Sequence, residues 1–78
     1  MIKLSNIELK DRTISVLVES QEGHPIQKYT LRINTTTGEA ESDLADADKH
    51  DMAKVVNKLM SYIEQGEPLP RIDCIATH

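Results

Sequence analysis

Apolar and polar positions alternate through the first half of the chain, and a period of two marks a strand with one buried face. In TISVLVES, residues 13–20, the apolar side chains Ile14, Val16 and Val18 share one face. In IQKYTLRIN, residues 26–34, Tyr29, Leu31 and Ile33 share a face, and Lys28, Thr30 and Arg32 share the other. The intervening SQEGHP supplies Gly23, a residue suited to a tight turn. With Gly23-His24 as a two-residue loop, Val16 falls opposite Leu31, Val18 opposite Tyr29 and Glu19 opposite Lys28. The last is an opposite-charge pair, which supports this register. Pro25 then falls at a strand end, where its missing N–H is tolerated.

Upstream, Ile7 and Leu9 alternate into a turn at KDR, predicting a first strand that pairs with residues 14–18. The phase breaks before them, because Ile2 and Leu4 are even-numbered. Either a bulge lies near Ser5-Asn6, or Ile2 and Leu4 face the other side of the sheet. Downstream, NTTTGE is a turn with Gly38 at the position that needs positive φ, and EAES suggests a short fourth strand.

The second half changes period. Met52, Val55, Val56, Leu59, Met60 and Ile63 recur at spacings of three and four, the stripe of an amphipathic helix. Asp51, Lys54, Lys58, Ser61 and Gln65 are expected on the opposite side. Gly66 stops the helix, Pro68 and Pro70 prevent its return, and RIDCIATH reads as a final short strand. The fold expected is α+β: a small antiparallel meander of three or four strands, one amphipathic helix on one face, and a short C-terminal strand.

At 78 residues the chain is expected to be a single domain, 1–78, with a small core and modest stability. Hydrophobic content of 38% and charged content of 28% suit a folded rather than a disordered chain. The net charge of −4 is concentrated: residues 39–51 carry six acidic side chains against Lys49 alone. A nucleic-acid surface wants a basic patch and stacking rings, and this chain has no Trp or Phe and two Tyr. A lone cysteine, Cys74, excludes an intrachain disulfide. MIKLSNIELK lacks the apolar core of a signal peptide, and no run approaches the roughly 18–20 apolar residues of a membrane span. The expected setting is cytoplasmic, with neither nucleic acid nor membrane as a partner.

Composition also draws attention to DLADADKHD, residues 43–51, with four aspartates and a histidine. Asp48 precedes the helical stripe and suits an N-cap, while Asp51 complements the helix dipole. Asp43 and Asp46 are ordinary loop residues. Asp46, Asp48 and His50 are the metal-ligand candidates, and they fit poorly. Counted from Asp46, the positions of a calcium loop meet His50 at the fifth, Asp51 at the sixth and Asn57 at the twelfth. His24, His50 and His78 are too scattered for a zinc signature.

No constellation for catalysis stands out, and no cofactor is expected. Cys74 lies in an apolar alternation, Ile72-Cys74-Ala76, beside Asp73, which predicts a buried and unreactive thiol. The glycines are isolated, so no phosphate loop forms. The informative residues are the apolar ones out of phase with the core: Leu17, Ile26, Ile75, Ile2 and Leu4. Placed on the helix-free face beside charged groups, they would form a partner surface. The expected function is therefore a small non-catalytic interaction module. It would bind itself, as a homodimer, or a protein partner, through the helix-free face or an edge strand. The alternative is a metal- or small-ligand-binding protein using the acidic segment.

Overall fold

A computed structural model describes residues 1–21 and 26–76 of the chain. The loop Gly23-His24 and Pro25 lie outside the described residues. The elements run β1 (Ile2–Lys10), β2 (Thr13–Ser20), β3 (Gln27–Asn34), β4 (Ala40–Ser42), α1 (Lys49–Glu64) and β5 (Asp73–Ile75). They form one antiparallel sheet in the order β4-β3-β2-β1-β5, with the final strand returning beside the first.

The β2–β3 register is the one set by residue pattern. Val16 pairs with Leu31, Val18 with Tyr29 and Glu19 with Lys28. Strands β1 and β2 meet at a two-residue turn, Asp11-Arg12, whose φ values of 50° and 63° are those of the type I′ turn. That geometry matches the twist of the flanking strands, although neither residue is glycine. Gly38, with φ of 79°, turns β3 into β4.

The helix covers one face of the sheet. Ile2, Leu4, Ile14, Val16, Val18, Leu31 and Ile33 are buried there beneath Val55 and Leu59. Burying an aliphatic side chain of this size contributes about 1.5–3 kcal/mol, so the small core carries most of the stability. Asp48 caps the helix, accepting from the backbone N–H groups of His50 at 2.8 Å and Asp51 at 3.2 Å. Gln27 fixes the entry to β3, donating to the Asp46 carbonyl at 2.8 Å and accepting from the Asp48 N–H at 3.0 Å. Gly66, at φ of 69°, terminates the helix.

Several expectations change. Ile2 and Leu4 do not lie on the helix-free face; they are 0% and 1% exposed and belong to the core. The reason is a bulge in β1 between Ser5 and Glu8, with Asn6 at φ of 51°. The extra residue lets Ile2, Leu4 and Ile7 all point at the helix despite the change of parity. Ile75 is also corrected. It pairs with Ile2 and packs against the core, which turns Cys74 outward, exposed rather than buried. Finally, Asp51 is not on the outer side of the helix but is buried. Asp51, Val55 and Leu59 follow one another at four-residue steps, so all three fall on the stripe that meets the sheet.

Candidate interaction site

The acidic segment is built into the fold. Asp43 extends the β4 pairing: its N–H donates to the Thr30 carbonyl at 3.2 Å, and its Oδ1 accepts from the Thr30 N–H at 2.9 Å. Asp48 is committed to the helix cap. Asp51 Oδ2 accepts from Ser20 Oγ at 2.6 Å, a buried bond that joins the first turn of α1 to the end of β2. Asp46, Asp48 and His50 are not brought together as ligands. Among the described residues no group of three metal-binding side chains converges.

Close to this cluster, the Tyr29 hydroxyl is buried without a hydrogen-bond partner. Burial raises its pKa to about 12, and the nearby charges of Asp51 and Asp48 push in the same direction. The residue pattern marks Tyr29 as core but gives no sign that its hydroxyl is orphaned. Asp51 could have been found from its four-residue step to Val55.

The helix-free face is more polar than expected. Its cross-strand row runs Lys28, Glu19, Lys3, Cys74, alternating in charge over the first three. Leu17 lies half-buried on this face, next to that row, and Ile26 is exposed at 57% just before β3. Of the five candidate surface residues, these two remain outside the core. An open depression of about 690 Å³ touches Leu17, Lys3, Lys28 and Cys74.

A second feature lies along the rim of the sheet. Strand β1 runs for nine residues, but β5 pairs with Ile2, Lys3 and Leu4 alone. Just beyond, the Ile7 N–H donates to the Arg71 carbonyl at 3.1 Å. From Glu8 to Lys10 no described strand pairs with the outer side of β1. Lys10 and Thr13 flank the two-residue turn and face each other, so the alternation of the ladder directs the Leu9 N–H and C=O away from β2. A groove of about 770 Å³ opens beside this edge, lined in part by Leu9, Ile63, Leu69 and Ile72. Leu9 is 50% exposed and Ile72 is 75% exposed. The open edge was not legible in the residue pattern, because it depends on where the three residues of β5 pair.

No helix among the described residues is long and apolar enough to cross a membrane. Comparison with family models yields no match, and neither the curated proteins nor the solved structures provide one.

Proposed function

We propose that the protein is a non-catalytic interaction module that accepts an extended strand along the open half of β1. The observation that carries this reading is the mismatch between nine residues of β1 and three of β5, with exposed Leu9 and Ile72 beside the uncovered part. In strand addition, main-chain hydrogen bonds supply affinity, and alternate side chains supply specificity through adjoining pockets. Leu9 offers the free backbone pair, and the groove between β1 and residues 67–72 offers apolar contact. Folded proteins protect long edges by shortening or covering them. Here β4 and β5 are short, whereas the uncovered part of β1 is the end of a long strand. A cytoplasmic setting belongs to the same proposal, since an exposed single thiol such as Cys74 suits a reducing compartment.

The test is selection of extended peptides from a random library against the immobilised protein, followed by mapping of the selected peptides by amide chemical shifts. The expected shifts centre on Leu9, Leu69 and Ile72. Leu9→Pro, which removes an outward N–H and is tolerated at a strand edge, is expected to abolish binding. Peptides that map to the Leu17 face, or that bind the Leu9→Pro variant equally well, would overturn the reading.

A further inference from the structure

We propose that the strand accepted at this edge is β1 of a second copy of the chain, paired antiparallel about a two-fold axis at Leu9. This rests on the strand-accepting reading of the edge and names its occupant. An isologous contact must be self-complementary, with each residue facing a suitable counterpart under the two-fold operation. The sequence Glu8-Leu9-Lys10 has this property. Centred on Leu9, the pairing sets Glu8 opposite the partner's Lys10, and Lys10 opposite the partner's Glu8. Both side chains are exposed, and both lie on the helix-free face, across from Ser15 and Thr13 of β2. Leu9 points to the other face and meets the partner's Leu9.

The backbone agrees with the charges. An antiparallel pair exchanges two hydrogen bonds where opposed residues both turn their N–H and C=O towards the neighbour. Leu9 is such a residue, so its N–H donates to the carbonyl of the partner's Leu9, and the reverse bond closes the ring. Shifting the centre to Glu8 or Lys10 sets like charges directly opposite each other, which is destabilising. The Leu9 register is thus the one that satisfies hydrogen bonding and charge together. It joins two five-stranded sheets across their β1 edges.

A contact of this size is weak, so association is followed by light scattering over a series reaching about the millimolar range. The wild-type chain is expected to double its mass. In the Leu9 register, E8K sets lysine against lysine at both ends of the pairing, and K10E sets glutamate against glutamate. Each single variant is expected to weaken self-association by at least about tenfold, while circular dichroism stays unchanged. An equimolar mixture of E8K and K10E is expected to recover association as a heterodimer, and E8K/K10E to recover it as a homodimer. Single variants that associate like the wild type, or a mixture that stays monomeric, would overturn the register. A wild-type chain that is monomeric throughout would overturn the second copy as occupant. Library-selected peptides separate the two failures: if they still require Leu9, the edge reading stands without the dimer, and if they do not, both fall.

Discussion

The two halves of β1 sit in contrasting surroundings. Ile2 to Leu4 lies between β2 and β5 with its apolar side chains 0% and 1% exposed. Glu8 to Lys10 lies against β2 on one side, with Leu9 half in solvent. The bulge around Asn6 separates them. The first half has both backbone edges satisfied and is core. The second half keeps regular pairing on one side and leaves a donor and an acceptor outside. One strand therefore serves two purposes: its start anchors the fold, and its end presents an edge.

Truncation gives the sharpest contrast between the halves. Leu4→Ala is expected to cost about 2–5 kcal/mol in urea unfolding, as for other fully buried leucines. A cost below about 1 kcal/mol would mean that the covered half is not core. Next in size is Ser20→Ala, beside Ile2 in the ladder. It removes the donor to buried Asp51 and is expected to cost about 1–3 kcal/mol. A neutral result would show that the carboxylate has another partner.

Tyr29→Phe is expected to be neutral or to stabilise by up to about 1 kcal/mol, because the hydroxyl it removes has no partner. The same residue sets an alkaline limit. Its folded pKa of about 12 lies above the ordinary 10.0, so the neutral form is favoured on folding. Its contribution is intact below the unfolded pKa and is lost as pH rises towards about 12. The phenylalanine variant is expected to show a shallower alkaline decline, with Tyr62 retaining part of it through its hydrogen bond to Asp73. An unchanged decline would remove Tyr29 from its causes.

The smallest effects belong to the open half and the turn that follows it. Arg12→Gly relieves a positive φ at the turn and is expected to stabilise by about 0.5–1 kcal/mol. Leu9→Lys is expected to change stability by no more than about 0.5 kcal/mol, while removing the apolar contact at the edge. A large loss of stability from Leu9→Lys would blur the distinction between the halves.

What the residue pattern made legible follows from how local each signal is. The β2–β3 register could be read because the opposite charges of Glu19 and Lys28 agree with the apolar alternation of the two strands. The helix and its Asp48 cap were legible for the same reason, since spacing and capping chemistry coincide. The phase break in β1 allowed a bulge or a change of face, and long-range packing under the helix decides it. Ile72, Cys74 and Ile75 are apolar on both parities, so a three-residue strand could not reveal which of them faces inward. The polar identity of Asp51 hid its place on the buried stripe. The open edge had no local signal, being a consequence of how far β5 reaches.

Amide hydrogen exchange resolved along β1 tests the division of the strand most directly. In dilute solution the Glu8 and Lys10 amides, which face β2, are expected to be protected, and the Leu9 amide between them to exchange quickly. Raising the protein concentration is expected to slow Leu9 alone. A Leu9 amide as slow as its neighbours in dilute solution would contradict the open edge, and with it the interaction site.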